Sequence, residues 1–417
     1  NNQISNIGIT QFSSQISKCR NLQNYTLFLN SNLITDEGVS GISQSLSKIA
    51  SLSQFYLSLQ NNNIGEIGAL DLAQALAKGK NIKSLELQFR NSPIGNNGAL
   101  ALCSSLSKSL SLQVLDLKLC DNEISCADIQ TLVSAFKNMN YLSNLQLILR
   151  RSQIDLEALL NFEQFLKNCS HLTCLTLDLR GNKIGSQCGI DLGYAFASFY
   201  NLQMLNLKIR SNNVSEEGAQ GLAVALKNCT NLKILTIELQ FNNIDNHNIK
   251  SLGSSLVNCK NLKYLLLDLK QNSIYFKGAL DLGIELSKCN NLLVLIIYLY
   301  WSKINSQGAI NLEKAISSCT NICVLTIDLN GNEIGDIGAQ NLCKGLKNLN
   351  HLSYLTVKLN GNNISQQGAI KLVSDISACQ RLYTVELYLY RNRIYASINN
   401  VLNKTKRLVK KGVHLIS

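Results

Sequence analysis

The stretch NICVLTIDLNGNEIGDIGAQNLCKGLKN, residues 321–348, decides the fold of this 417-residue chain. Apolar residues such as Leu325 and Ile327 alternate with other residues, and a period of two is typical of a β-strand with one buried face. After a short turn, Leu342 and Leu346 stand four residues apart, which is helical spacing. The stretch therefore predicts a unit of strand, turn and helix.

The same pattern recurs every 30 residues, in thirteen gapless segments that begin at residues 21 to 381. Such a period is the signature of a solenoid, a propeller or another repeat array. Each strand is followed by a helix and a return, so successive strands must run parallel. One unit cannot bury its own apolar face, whereas a stack of units can.

An asparagine follows the strand in ten of the thirteen repeats, and Ser92, Ser152 and Ser302 replace it in the other three. A buried amide at a turn is expected to satisfy backbone groups of its own repeat and of its neighbour. Serine can do part of this.

The shared pattern N-L-x-x-L-x-L-x-L-x-x-N-x-I-x-x-x-G-A-x-x-L resembles the leucine-rich repeat, in particular the ribonuclease-inhibitor-like class. The resemblance implies an α/β fold: a curved, right-handed leucine-rich-repeat solenoid with parallel strands on the concave face and helices on the convex face. It says little about function, because that class includes inhibitors, GTPase activators, immune sensors and scaffolds. A composition rich in Asn, Ile and Lys is typical of protists with AT-rich genomes.

The repeats divide the chain into a solenoid over residues 1–390 and a degenerate basic C-terminal repeat or cap over residues 391–417. The first residues fit turn and helix positions, so the sequence starts in the middle of a repeat, and we expect something to precede or cover that end. No apolar run is long enough to span a membrane.

The net charge of +12 is concentrated at one end of the sequence. Residues 391–417 carry seven basic residues and no acid, which leaves 12 − 7 = +5 for the rest. This distribution does not favour nucleic acid as the partner, because the repeats themselves have an ordinary charge. The basic residues of this end are Arg391, Arg393, Lys404, Lys406, Arg407, Lys410 and Lys411.

Fourteen cysteines and four histidines form no catalytic or metal-binding motif. Seven of the cysteines occupy one repeat position near the helix end, where stacked helices stand too far apart for a disulfide. We expect these to be small buried hydrophobes in a reducing, cytoplasmic compartment. They are Cys19, Cys169, Cys229, Cys259, Cys289, Cys319 and Cys379. The sequence predicts no catalytic residue, no cofactor and no metal, so the protein is not expected to be an enzyme.

Basic residues recur at the last outward position of the strands, and three consecutive repeats carry arginine there. Neighbouring parallel strands are about 4.8 Å apart, so such a row favours an acidic counterpart. That counterpart is either a partner surface or an internal network with Asp178, Glu238 and Lys208, and the internal alternative is common. The candidate partner-binding residues of this series are Arg90, Arg150, Arg180, Arg210 and Lys270.

The stretch LYWSKINSQGA, residues 299–309, contains the only tryptophan of the chain where other repeats have small polar residues. Tyrosine, tryptophan and arginine are enriched in binding hot spots. The alternative is that Trp301 folds back over the turn and fills space left by Ser302. The aromatic candidates for partner binding are Phe241, Tyr298, Tyr300, Trp301, Tyr388 and Tyr390.

These observations predict a non-enzymatic scaffold for protein–protein interaction, an arm or subunit of a larger protein or assembly. The expected partner is a protein with an acidic or mixed surface, and a cytoskeletal or ciliary assembly is one context for it. A GTPase-activating module similar to the Ran activators and a ribonuclease inhibitor are the alternatives. Both of those groups differ in charge, since Ran activators of this repeat class end in an acidic tail and ribonuclease inhibitors are acidic.

Overall fold

The computed structural model describes residues 2–394, apart from 107, 110, 123–138, 140, 153, 155–170, 183, 197–198 and 380. The predicted boundary at residue 390 stays a prediction, and the predicted cap lies outside the described residues from 395 onward. Cys169 of the cysteine series also lies outside them.

Thirteen short strands of five residues recur at intervals of 30 residues in the described chain. They are β1 (Asn24–Phe28), β2 (Gln54–Ser58), β3 (Ser84–Gln88), β4 (Val114–Lys118), β5 (Asn144–Ile148), β6 (Cys174–Asp178), β7 (Met204–Lys208), β8 (Ile234–Glu238), β9 (Tyr264–Asp268), β10 (Val294–Tyr298), β11 (Val324–Asp328), β12 (Tyr354–Lys358) and β13 (Thr384–Tyr388).

Helices alternate with the strands wherever the connecting residues are described. They are α1 (Asn6–Ile16), α2 (Asp36–Leu46), α3 (Glu66–Lys78), α4 (Gly95–Leu106), α5 (Gly185–Phe196), α6 (Ser215–Asn228), α7 (Asn246–Leu256), α8 (Phe276–Leu286), α9 (Ser306–Ile316), α10 (Gly335–Lys344) and α11 (Gln366–Ser377). A 3₁₀ turn, Gly345–Asn348, follows α10.

The chain forms two compact units. The first contains β1–β7 with α1–α4, and the second contains α5 together with β8–β13 and α6–α11. In each unit the strands pair in chain order, parallel, with a register of one whole repeat, so that Leu295 lies opposite Leu325. Helices of adjacent repeats pack side by side. The predicted parallel solenoid architecture is therefore confirmed.

The core follows from the alternation along each strand. Leu325, Ile327 and Leu329 are at most 1% exposed, while the residues between them face the other side of the sheet. The helix contributes Leu342, which is 1% exposed. The second glycine of the repeat lets this helix approach its neighbour closely. A Cβ at Gly308 would stand 3.2 Å from the Cα of Phe276 in the preceding helix, and 2.6 Å from Cγ2 of Ile304 in its own repeat.

The turn asparagines link the repeats as a ladder of hydrogen bonds. The amide of Asn332 donates to the carbonyls of Leu299 and Leu329, each at 2.9 Å. Its Oδ1 accepts from the backbone N–H groups of Ser302 (3.1 Å) and Ile304 (2.9 Å). One buried side chain thus satisfies backbone groups of two repeats, as the sequence predicts.

The cysteine position is buried in the middle of the series and open at its ends. Cys229, Cys259 and Cys319 are buried, and each thiol lies 3.2–3.7 Å from the carbonyl oxygen of a residue 33 positions earlier. Cys19 is exposed and Cys379 is half-buried, so the prediction of a uniformly buried series is wrong for them.

A candidate binding groove along the strand ends

At one fixed position after each strand, the backbone is left-handed. The third residue after every strand has φ between 50° and 70°. We refer to these residues as the turn column: Ser31, Asn61, Asn91, Asp121, Arg151, Gly181, Ser211, Phe241, Gln271, Trp301, Gly331, Gly361 and Arg391. Only glycine, and to a lesser degree asparagine or aspartate, adopts this conformation without strain.

Phe241 and Trp301 are the bulky aromatic members of the turn column. A left-handed backbone disfavours such a residue by about 1–2 kcal/mol. Burial does not offset this strain, because the Phe241 side chain is 39% exposed and that of Trp301 is 55% exposed. Glycine stands at the same position in other repeats, as at Gly331 and Gly361. The two aromatic residues therefore oppose the local backbone preference while remaining open to solvent.

Trp301 lies between a ring and a glycine. Its indole stacks on Tyr300, with ring centroids 5.1 Å apart and an interplanar angle of 25°. On the other side it covers Gly331, where an added Cβ would collide with Cδ1 and Nε1 of the indole. The indole thus extends toward the next repeat. Ser302, completely buried below it, keeps a hydroxyl without a hydrogen-bond partner among the described residues.

A groove of about 580 Å³ runs along this part of the second unit. Gly331 and Gly361 line it together with Asn330 and Asn360. Six of the residues predicted to bind a partner line it: Arg210, Phe241, Lys270, Tyr300, Trp301 and Tyr390. The structure therefore brings together most of the aromatic candidates and two of the basic ones.

Basic side chains of the groove lie against its aromatic rings. The Arg210 guanidinium is 4.9 Å from the centre of the Phe241 ring, and that of Arg391 is 5.4 Å from the Tyr390 ring. Neither guanidinium forms an ion pair within the described chain. Such cation–π contacts leave the guanidinium N–H groups available to a ligand.

Lys270 differs, because it has partners of its own. Its ammonium lies 3.3 Å from the Asp268 carboxylate and 4.3 Å from the centre of the Tyr298 ring. Asp268 and Asp328 stand on either side of Tyr298 in the sheet. Burial, and then these two carboxylates, raise the pKa of the Tyr298 hydroxyl. Tyr298 and Tyr388 belong to this sheet face. Each precedes a groove-lining tyrosine, Tyr300 or Tyr390, by two residues.

Sequence reasoning missed several residues that line the groove. Gln240, two residues after β8, is 7% exposed, and Asp328, at an outward position of β11, is 5% exposed. Burial raises the pKa of Asp328. The hydrogen bond that the Asn330 backbone N–H donates to it, at 3.1 Å, lowers the pKa but does not outweigh burial. The sequence did contain a signal for Gly331 and Gly361. They occupy the repeat position of Trp301 in the next two repeats, and a glycine there has no side chain to fill the groove.

The arginines of the first unit have internal partners. Arg150 and Arg180 both bind the carboxylate of Asp178, at 2.6 Å and 2.7 Å. Burial disfavours ionisation of Asp178, but hydrogen bonds from both arginines outweigh it and hold its pKa below the ordinary value. Arg90 contacts Asp121 at 3.3 Å. For Arg150 and Arg180 these contacts favour the internal alternative over a partner surface.

The described part of the chain has neither a metal-binding cluster nor a membrane-spanning helix. Within it, no three or more His, Cys, Asp or Glu side chains are arranged to hold a metal ion. None of the helices described there has the length and apolar character that crossing a membrane requires.

Comparisons with known proteins agree with this architecture. Residues 320–343 match a family model described as Leucine Rich repeat. The chain is similar to the crystal structure of an internalin from Listeria monocytogenes, with 18% identity, 96% of this chain and 92% of that chain covered, and a TM-score of 0.54. It is also similar to a leucine-rich-repeat protein of Leptospira interrogans, with 19% identity, coverage of 96% and 86%, and a TM-score of 0.53. A search of curated proteins finds no match.

These findings define the class of the protein: its fold is that of a leucine-rich-repeat solenoid. At such low identities the similarity concerns the fold alone. Solenoids of this kind present extended surfaces to other proteins. The fold therefore supports a general role as a protein-interaction scaffold.

Proposed function

We propose that this protein is a non-enzymatic scaffold that binds a partner protein along the groove of its second unit. The observation that carries the proposal is Trp301. A bulky aromatic residue occupies a left-handed turn position, is 55% exposed, and stands where other repeats have glycine. Backbone strain of this kind clusters at functional sites, where the surrounding structure holds it in place.

The charge of the groove supports a partner with an acidic or mixed surface. Arg210 and Arg391 have no described ion-pair partner, whereas Asp328 is the one acidic residue in the described lining. Charges at the edge of an interface accelerate association and select the partner. We therefore expect binding to weaken as the salt concentration rises.

Trp301→Gly tests the proposal, with Ser211→Gly as the matched control. Ser211 belongs to the same turn column and the same unit but lies outside the groove lining. A partner captured from native extract should crosslink to Lys270 and Lys303, beside the groove. The crosslinks should disappear in Trp301→Gly and persist in Ser211→Gly. Retention of every partner at unchanged affinity by Trp301→Gly would contradict the proposal.

The cellular context belongs to the same proposal. The eleven cysteines described are free thiols, which supports a reducing compartment such as the cytoplasm. An arm or subunit of a larger assembly, cytoskeletal or ciliary, is consistent with an interaction scaffold. A GTPase activator would need a catalytic arginine; Arg150 and Arg180 are both held by Asp178, and nothing assigns such a role to Arg210 or Arg391. No observation on the described residues favours that alternative or a ribonuclease inhibitor.

A further inference from the structure

The groove offers more hydrogen-bond donors than acceptors. Asn330 and Asn360 each use Oδ1 to accept a backbone N–H at 2.7 Å, and neither Nδ2 group has an acceptor among the described residues. The Trp301 indole N–H has none there either. The buried acceptors are Asp328 and Oε1 of Gln240, which has no described donor. This balance fits a ligand with many acceptors and few donors. Proline supplies that chemistry, because it keeps the carbonyl and lacks the N–H.

The spacing of the aromatic walls matches one peptide conformation. Phe241 and Trp301 are two repeats apart, which corresponds to about 9.6 Å across parallel strands. A polyproline II helix repeats its side chains on one face every ~9.3 Å. An extended strand does so every ~6.7 Å, and one turn of an α-helix rises ~5.4 Å. A polyproline II segment that crosses the strand ends therefore matches the spacing of the two turn positions that carry these rings.

Beyond Trp301 the groove has an open slot of suitable size. The turn column passes through Gly331 and Gly361 before it reaches Arg391, about 14 Å beyond Trp301. The Trp301 indole covers Gly331, so the open part of this interval lies over Gly361. A Cβ at Gly361 would meet only the Gly331 backbone, at 4.0 Å. Trp301 and Tyr390 wall this slot. Aromatic walls with an open floor are the surface on which proline rings pack.

Arginines at both ends of the groove define the flanks of the ligand. Arg210 and Arg391 are six repeats apart, about 29 Å across the sheet. At about 3.1 Å per residue this corresponds to roughly nine residues of polyproline II. We infer that the groove binds a proline-rich segment of a partner protein in the polyproline II conformation, with an acidic residue near each end. The inference rests on the proposed function and specifies the chemistry of the partner.

A synthetic peptide with proline at two of every three positions and glutamate at both ends tests this inference. Trp301 is the only tryptophan, so its fluorescence reports on the groove alone. We expect the emission to change saturably with the peptide. A peptide with alanine in place of proline should bind at least ~tenfold more weakly. Glutamine in place of both glutamates should weaken binding and remove most of its salt dependence.

Variants of the groove residues test whether the peptide binds there. Binding is measured by the fluorescence anisotropy of a labelled peptide. Trp301→Gly and, independently, Tyr390→Ala should each reduce affinity by at least ~tenfold. Ser211→Gly should bind as the unchanged protein does. Circular dichroism of each variant shows whether it has folded.

Three outcomes would overturn the inference: equal binding of the alanine peptide, no binding of the proline peptide, or binding of a single-stranded oligonucleotide in its place. A different result would contradict the proposed function. If the crosslinked partner still depends on Trp301 while proline peptides do not bind, only the ligand class is wrong. If Trp301→Gly leaves the partner bound, the proposed function is wrong as well.

Discussion

At the scale of single residues, Trp301 and Gly331 act as a pair. The indole occupies the space that any side chain at Gly331 would need. Both residues have the same left-handed backbone, with φ of 51° and 61°. The exposed position of the tryptophan thus depends on the absence of a side chain in the next repeat, and neither residue explains the geometry alone.

Alanine substitutions at two glycines measure this pairing. Gly361→Ala should lower the free energy of unfolding by about 1 kcal/mol, because its backbone is left-handed but its surroundings are open. Gly331→Ala should lower the free energy of unfolding further, since the new methyl group also displaces the Trp301 indole. The excess should vanish in the Trp301→Gly background. Urea unfolding of the wild type, Gly331→Ala, Trp301→Gly and the double variant forms a double-mutant cycle. Equal losses of stability in Gly331→Ala and Gly361→Ala would contradict the pairing.

At the scale of the repeated element, two columns link the repeats through the backbone. The asparagine ladder uses amides, and the cysteine position uses thiols that contact carbonyl groups. Ser302 interrupts the ladder and leaves its buried hydroxyl without a described partner. Ser92 occupies the same position but donates to the Leu59 carbonyl at 3.0 Å. The two serines therefore differ in how well they replace asparagine.

Ser302→Asn should stabilise the protein. The new amide would donate to the carbonyls of its own and the preceding repeat, where the serine hydroxyl bonds to nothing described, and we expect a gain of about 1 kcal/mol. Ser92→Asn is the control and should gain less, because its hydroxyl is already bonded. Thermal and urea unfolding measure both. A loss of stability in Ser302→Asn would indicate that Trp301 needs the smaller residue beneath it.

The cysteines predict a loss of stability at alkaline pH. Burial, and then the neighbouring Cys229 and Cys289 thiols, raise the pKa of Cys259 from 9.0 to about 12. The native thiol keeps its proton where the unfolded thiol has lost it. The stabilisation is therefore complete below pH 9 and declines as the pH rises toward 12.

The comparison of wild type with Cys259→Ala isolates this effect. Between pH ~9 and ~10 the wild type should lose about 1 kcal/mol more than the variant. Urea unfolding at the two pH values measures the difference. Parallel declines would mean that this thiol does not contribute. Iodoacetamide on the native protein should modify the exposed Cys19 well before Cys259.

At the scale of the whole molecule, part of the basic charge lies outside the binding groove. Five of the thirty-nine Lys and Arg residues follow residue 394, and no acidic residue does. The groove draws instead on Arg210, Lys270 and Arg391 of the second unit. Non-specific attraction to polyanions and recognition of a specific partner should therefore be separable.

Truncation after residue 394 tests this separation. The shortened chain should bind the proline peptide with unchanged affinity, because every groove residue remains. Its retention on a heparin column should fall, since the net charge decreases from +12 to 12 − 5 = +7. Loss of peptide binding on truncation would show that the C-terminal residues take part in the groove.

The sequence predicted the architecture because a strict period specifies which residues share a face. It also named Asp178 and Glu238 as the internal counterparts of the arginine row in the alternative to a partner surface. It could not predict the direction of the Trp301 side chain, which depends on a neighbour one repeat away. It also missed Gln240 and Asp328, because the burial of an outward position depends on the side chains around it rather than on the alternation.

The left-handed turn column has an evolutionary consequence. Every member has the same backbone and lies outside the apolar core, so a substitution there changes the exposed surface and leaves the core residues unchanged. Gain or loss of one 30-residue unit between Trp301 and Arg391 would change the distance between the two groove walls by about 4.8 Å. Unequal recombination within the gene would thus adjust the length of the ligand in discrete steps.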